Sequence, residues 1–452
     1  MANKKQKNII QMQENTQSPI DPQSYAESLS DAQRKKYRMY AYASTWFGCF
    51  TDVVMDNSAV IILYLAMLGG SDTLIMLSTS LVGMVSMFVL IPTARIVDRL
   101  GAKKVINISC VIALVSYLIM ASAALFPQGV GKVVAFGGCF LFCVSKPLWM
   151  GAWYPLLSNI LQPQDRGNFF GFMRFSYYIL SGGVLLTVGF YMGENPPAYF
   201  LQLVLAMTGL LVIGRIIFIA KIKIPPHVKT TRNIVKSVKD ALSNSSLVGF
   251  CVYVCFLSFA YLTVLPLSMI YLKKGLECGD NIVQIITSIG IGGYVLGFFV
   301  YGKLVKTIGI RNMWLFIHAL FIIIPLGFFF CSKTLPLATE IAGVLLFFGN
   351  FAFACFYCAL SQDTLALAKP DNVPMSTAVC QTYQMMGMGF ARCASAFLLL
   401  GGILSTGWEW CGIQFSHYQT VFLICAALAF FGLIMIFCLP SVIRNRTNYY
   451  NP

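Results

Sequence analysis

Runs of mostly apolar residues recur along this chain, each long enough to cross a hydrocarbon layer of roughly 30 Å as a helix of about 20 residues. Twelve such runs begin near Met39, Thr73, Val105, Val133, Phe169, Tyr199, Ser246, Ile282, Met313, Ile341, Met375 and Gln419. They are continuous and lack period-two alternation, which predicts helices rather than the strands of a barrel. The first 38 residues are polar and carry Lys4, Lys5 and Lys7 and the cluster Arg34, Lys35, Lys36, Arg38. No short apolar core with a small-residue cleavage site opens the chain, so no signal peptide is expected. The longest internal polar stretch, Lys221 to Asn244, divides the runs into two sets of six. The expected organisation is a cytoplasmic tail over 1–38, a six-helix half over 39–220, a solvated linker over 221–245, a second six-helix half over 246–440 and a tail over 441–452. The fold class is an all-α membrane protein of twelve transmembrane helices in two pseudo-symmetric halves.

Composition excludes several functions. Of 452 residues 58% are hydrophobic and 11% charged, and mean hydropathy is +0.73. An ordinary soluble domain carries about 25% charge. A soluble enzyme and a nucleic-acid-binding domain are therefore set aside. The net charge of +15 has a membrane explanation, because cytoplasmic loops collect Lys and Arg. Of the 32 Lys and Arg, four (Lys132, Lys273, Lys274, Lys333) fall in loops on one side, two (Lys146, Arg392) fall inside spans and 26 gather on the other side, with Arg95 and Arg215 assigned to its helix ends. Both termini are expected in the cytoplasm and the protein in the plasma or inner membrane, as a monomer. The sequons at Asn244 and Asn445 would then face inward and stay idle. Cys278 and Cys411 both fall in outer loops and are candidates to pair.

An internal repeat supports the two halves. Between spans 2 and 3 the chain reads Ala94-Arg-Ile-Val-Asp98-Arg99-Leu-Gly101-Ala-Lys103-Lys104, and between spans 8 and 9 Gly302-Lys-Leu-Val-Lys306-Thr-Ile-Gly309-Ile-Arg311. Gly101 and Gly309 suit a turn at positive φ. Lys103, Lys104 and Arg311 are placed to hold it at an anionic leaflet. The first segment resembles the loop 2–3 signature of the major facilitator superfamily, Gly-x-x-x-Asp-Arg-x-Gly-Arg-Lys, matching at Asp98, Arg99, Gly101 and Lys103. Ala94 and Ala102 depart from it, and the second copy has Lys306 in place of the acid. The resemblance implies a twelve-helix transporter whose signature acid latches the cytoplasmic side, with Asp165 and Arg166 of loop 4–5 as its neighbours.

Charges inside spans are expensive in lipid and mark candidate sites. Four lie deep: Asp52 and Asp56 in span 1, Lys146 in span 4 and Arg392 in span 11. At about 1.5 Å per residue, Asp52 and Lys146 lie roughly 20 and 17 Å from their inner ends, and Asp56 and Arg392 both about 26 Å. The depths predict two pairs, Asp52 with Lys146 and Asp56 with Arg392. The pairs either hold the bundle together or form a cation and substrate site, in which a carboxylate takes H⁺ or Na⁺. Around them Trp149 and Trp153 share a face with Lys146. Gln381, Gln384 and Arg392 recur at helical spacing on span 11, as do Asn350 and Tyr357 on span 10. Amides, charge and flat aromatics suit a polyhydroxylated ligand. For Trp153 and Tyr154 an interface anchor is the competing reading. Gly290, Gly293 and Gly297 give span 8 a face for close packing, Gly182-Gly183 does the same in span 5, and His318 reads as a packed residue. An acid in span 1 with a cation in span 11 also resembles the glycoside–pentoside–hexuronide cation symporters, although span 2 has no acid and span 4 carries Lys146.

The expected function is a secondary transporter of a small polar solute, a sugar or sugar acid, coupled to a cation gradient. Alternatives are an exporter or antiporter of organic anions or drugs, and a non-transporting receptor of the same fold. No enzyme motif, metal-ligand spacing, cofactor or nucleic-acid partner is indicated.

Overall fold

Inside a hydrocarbon layer every backbone N–H and C=O must find its partner within the chain, so the apolar runs fold as helices. The computed structural model describes residue 25 and residues 28–162, 165–225, 234–368, 372–400, 403–405, 407–410 and 412–438. The first half contains α1 (Asp31–Asp56), α2 (Val60–Met67), α3 (Asp72–Leu100), α4 (Ala102–Ser122), α5 (Gln128–Leu157), α6 (Arg166–Met192) and α7 (Ala198–Lys221). The linker holds α8 (Ile234–Leu242). The second half contains α9 (Ser245–Tyr261), α10 (Val264–Ile270), α11 (Asp280–Phe330), α12 (Ala338–Leu367), α13 (Val373–Leu398) and α14 (His417–Cys438).

Among the described residues nine helices are long and apolar enough to cross a membrane, ten with α1 and α2 taken as one span bent by 51°. At 51 residues α11 would be about 76 Å long, more than twice the layer. It divides at Gly309, the start of the ninth span. The span left over is α13, long enough but diluted by Gln381, Gln384 and Arg392. The helices begin within a few residues of the expected starts except α1, which begins at Asp31 behind a capping box of Ser30 and Gln33. One exception to an all-α fold stands between α13 and α14, where β1 (Gly407–Trp410) and β2 (Ile413–Ser416) form an antiparallel hairpin.

The two signature turns are alike in backbone. Gly101 has φ 83° and ψ 144°, and Gly309 φ 79° and ψ 160°. That region is essentially closed to residues with a Cβ. The first span of each half is also broken, span 1 at Asn57–Ala59 and span 7 at Leu262–Thr263. The loops after α3 and α7 are rich in Lys and Arg; this is the basic end of the bundle, and the opposite one is the far end.

In the first half α4 packs on α5 and α7, and α1 on α7; in the second α11 packs on α12 and α9 on α13. The halves meet where α3 packs on α13 and α6 on α11. Links between them gather toward the far end. Asp72 accepts from Lys274 and from Tyr418. The Asp280 N–H donates to the Glu194 carbonyl at 2.9 Å. The linker is not wholly solvated: α8 is docked to the second half through Asn372 Nδ2, which donates to the Ser237 carbonyl at 2.7 Å. Asn244 caps α9 and donates to the Leu367 carbonyl. Cys411, Lys4, Lys5, Lys7 and the 441–452 tail lie outside the described residues, so the Cys278–Cys411 pairing is among the calls they leave open.

Close packing of α11 on α12 depends on small residues. A Cβ on Gly293 would lie 2.0 Å from the Phe347 carbonyl oxygen and one on Gly297 2.6 Å from Ala354 Cβ, while Gly290 has 3.1 Å to Asn350. Gly182 meets Ile291 across the halves, but Gly183 has open space. Gly293→Ala is expected to lower stability by about 1–3 kcal/mol through overpacking. Gly302→Ala, on the same helix with open space around it, should be neutral or stabilising by up to about 1 kcal/mol. Thermal unfolding midpoints of the two variants in detergent micelles check the contrast, and equal midpoints would refute it.

Candidate functional site

Between the halves lies a cavity of about 300 Å³. The sequence-predicted residues Asp52, Asp56, Lys146, Trp149, Trp153, Asn350, Tyr357, Gln384 and Arg392 all line it. Gln381 is not among the lining residues. The lining reaches the basic end at Tyr154, which is 48% exposed. Trp153 is buried and stacks on Trp149 with centroids 4.8 Å apart, so it is a wall of the cavity rather than an interface anchor.

The pairing of charges differs from the depth argument. Lys146 pairs with Asp56, not Asp52. Asp52 pairs with Arg215 of α7 at 3.4 Å. Arg215 lies six residues inside the end of α7, about 9 Å, and was assigned to the loop charge. Its buried guanidinium sits 3.6 Å from the Trp149 ring centroid. It passes over Gly48 so closely that a Cβ there would lie 1.8 Å from Arg215 Nε. Depth along a helix fixes height but not azimuth, and height alone cannot separate two acids one turn apart on α1.

Arg392 makes no ion pair among the described residues. Its Nε donates to the Leu262 carbonyl at 3.1 Å and Nη1 to the Thr79 carbonyl at 2.8 Å. The Leu262 carbonyl stands at the break between α9 and α10, and Thr79 belongs to α3 of the other half. Arg392 is therefore a cross-half clamp. The break in span 1 does similar work: Asn57 Oδ1 accepts from Tyr294 Oη at 3.2 Å across the halves.

A second cation that the sequence reading missed is Arg174 on α6. Its guanidinium lies 5.2 Å from the ring centroids of Phe298 and Tyr357, both of the second half. The overlooked signal was position, since Arg174 lies eight residues into α6, about 12 Å from its start.

The signature residues gather at the basic end. Asp98 is half-buried and Arg99 exposed at the end of α3. Lys103 does not point to a leaflet: its Nζ donates to the Ala220 and Ile222 carbonyls at 2.8 Å each, satisfying the end of α7. Arg311 is exposed beside Gly309. Asp165 pairs with Arg38 of α1 at 2.5 Å. The Arg166 side chain lies outside the described residues. His318 is enclosed, with Nδ1 2.9 Å from the Trp314 carbonyl and Nε2 3.2 Å from Tyr253 Oη.

The family model of the Major Facilitator Superfamily matches residues 45–392. Among solved structures, a mutant of nucleoside transporter NupG is similar with a TM-score of 0.66 at 17% identity, covering 91% of this chain and 100% of its own. A D-xylose-proton symporter gives 0.68 at 12%, covering 90% and 98%. A bacterial homologue of the iron transporter ferroportin gives 0.58 at 12%, covering 90% and 99%. No curated protein sequence matches significantly.

The observed pairing makes a prediction that depth matching does not. Lys146→Ala leaves the Asp56 carboxylate uncompensated in a largely buried position and should cost about 3–5 kcal/mol. Adding Asp56→Ala should recover most of that loss, whereas adding Asp52→Asn should not. Folded monomer recovered in detergent and its thermal midpoint are the measurements. Rescue by Asp52→Asn instead would restore the depth-matched pair.

Proposed function

The chain belongs to the Major Facilitator Superfamily, and we propose that within it the chain is a secondary transporter of a small polar solute, a sugar or sugar acid, working by alternating access. The observation that carries this reading is the set of buried polar atoms on cavity-lining residues that have no hydrogen-bond partner: Asp56 Oδ1, Gln384 Oε1 and Arg215 Nε. An unpaired buried donor or acceptor costs about 1–3 kcal/mol. A polyhydroxylated ligand offers donors to the first two and an acceptor to the third, and the stacked Trp149 and Trp153 offer a flat face to a sugar ring.

Coupling to H⁺ or Na⁺ is assigned to Asp52. Its partner Arg215 is held by Trp149 at the far side of the guanidinium, and the ion pair is long at 3.4 Å. That leaves the carboxylate accessible to a cation. The likeness to the glycoside–pentoside–hexuronide symporters is narrower, because the span 11 cation meets backbone carbonyls instead of an acid. The basic end is placed in the cytoplasm of a cell with the protein in its plasma or inner membrane, as a monomer. In that orientation the far-end links close the outside and the cavity faces inward.

Two measurements test this. Uptake by whole cells against a panel of sugars and organic acids identifies the solute. With that solute, Asp52→Asn should abolish accumulation against a gradient while leaving exchange down a gradient. A variant that still concentrates the solute refutes the coupling role of Asp52. For orientation, cysteines introduced at Gly193 and Gly279 should react with an impermeant thiol reagent from outside, and one at Val235 should not. The reverse pattern would invert the bundle.

A further inference from the structure

The cavity holds two acids, Asp52 and Asp56, against four cations, Lys146, Arg174, Arg215 and Arg392. Both acids are taken, by Arg215 and by Lys146. Arg392 spends two donors on carbonyls at the far side. Arg174 makes no ion pair among the described residues. Its guanidinium lies 5.2 Å from the ring centroids of Phe298 and Tyr357 and hydrogen-bonds Cys358, and Arg174 lines the cavity with donors to spare. A planar guanidinium has five N–H donors, so one bond to a thiol leaves enough for a two-pronged fork matched to a carboxylate.

Resting on the reading above, we infer that the solute is an anion, a carboxylate-bearing sugar or a similarly sized organic acid, and that Arg174 is the residue that binds its charge. Four features converge. The excess of cations over acids in a low-dielectric cavity favours an anionic guest. Arg174 belongs to the first half while its aromatic seat, Phe298 and Tyr357, belongs to the second, so a guest on its fork contacts both. Tyr178, one turn further along α6, stacks on Tyr294 and Phe298 with centroids 4.9 and 5.5 Å apart and extends a ring-sized platform from the anion site. Gln384, 1% exposed and with its Oε1 unpartnered, waits on the opposite wall for a hydroxyl donor.

Equilibrium dialysis of the purified protein against radiolabelled neutral and anionic partners tests this: D-glucose with D-glucuronate, D-galactose with D-galacturonate, benzyl alcohol with benzoate. The expected result is that at least one anion binds tenfold or more tighter than its neutral partner. Arg174→Gln should weaken that anion about 10- to 100-fold, the scale of charge-assisted hydrogen bonds, and leave the neutral partner unchanged. Arg174→Lys keeps the charge without the fork and should fall between. Neutral members binding as well as anions, or an anion preference that survives Arg174→Gln, overturns the inference and leaves polar-solute transport standing. No member binding overturns the polar-solute reading itself. Should Arg174→Gln not fold, the wild-type preference within each pair still decides whether the site selects an anion.

Discussion

A charge inside a hydrocarbon layer must be met by another charge or by polar backbone, and this requirement organises the centre of the bundle. Asp56 is met by Lys146 and Asp52 by Arg215. The second pairing needs more than two residues. Arg215 reaches α1 only because Gly48 leaves its path open, and Trp149 supports the guanidinium from the other side. Arg392 meets no acid among the described residues, and the chain supplies carbonyls instead: Leu262 at the break between α9 and α10, and Thr79 on α3. A helix break that would be a fault in an ordinary span therefore gives a buried cation its acceptor.

The repeat visible in the two signature segments extends through the backbone. Gly101 and Gly309 adopt nearly the same glycine-only conformation, and both first spans break after their long segment. Chemistry does not follow the same symmetry. The two ion pairs of the cavity, Asp52–Arg215 and Asp56–Lys146, belong to the first half; the second half contributes amides, further aromatics and the clamp. Two copies of one scaffold have thus diverged into a charged wall and a hydrogen-bonding wall facing each other across the cavity.

Apolar run length made the twelve spans legible, because a membrane allows few alternatives to a helix. The signature turns were legible too, since Gly at that spacing has a specific backbone use. The partners of the charges were not. Depth along a helix placed Asp52 near Lys146, but azimuth and the bend of span 1 decide contact, and neither is written in a run of apolar residues. Arg174 and Arg215 were hidden by convention: a cation within two or three turns of a helix end reads as loop charge, yet both face the cavity. The docking of α8 and the hairpin β1–β2 were missed because a search for runs of about 20 apolar residues passes over short amphipathic segments: Ile234, Val238 and Ala241 recur at helical spacing in α8, and Trp408, Trp410, Ile413 and Phe415 alternate with polar residues in the hairpin. Trp153 shows the same ambiguity from the other direction, since a Trp near a helix end suits an interface and a cavity wall equally.

The distribution of these contacts constrains how the two halves can move. Asp52, Asp56, Lys146 and Arg215 all lie on α1, α5 and α7, within one half. A rocking of one half against the other carries both ion pairs along intact and cannot be driven by exchanging them. The contacts that must be broken are among those that cross, which include Asp72 with Lys274 and Tyr418, Arg392 with Thr79, Tyr294 with Asn57, and Asp280 with Glu194. Breaking the second leaves a guanidinium with an unused donor in low dielectric, a cost of about 1–3 kcal/mol unless water or solute replaces the carbonyl. The acids then influence the movement only through what occupies the cavity beside them. A cation on Asp52 or a solute across both walls changes the free energy of the closed cavity relative to the open one, and a ligand shifts such an equilibrium only by its difference in affinity for the two states. If Asp52 takes a cation as proposed, coupling is therefore a matter of occupancy at a preserved charged wall, with the far-end clamp setting the threshold that occupancy must overcome.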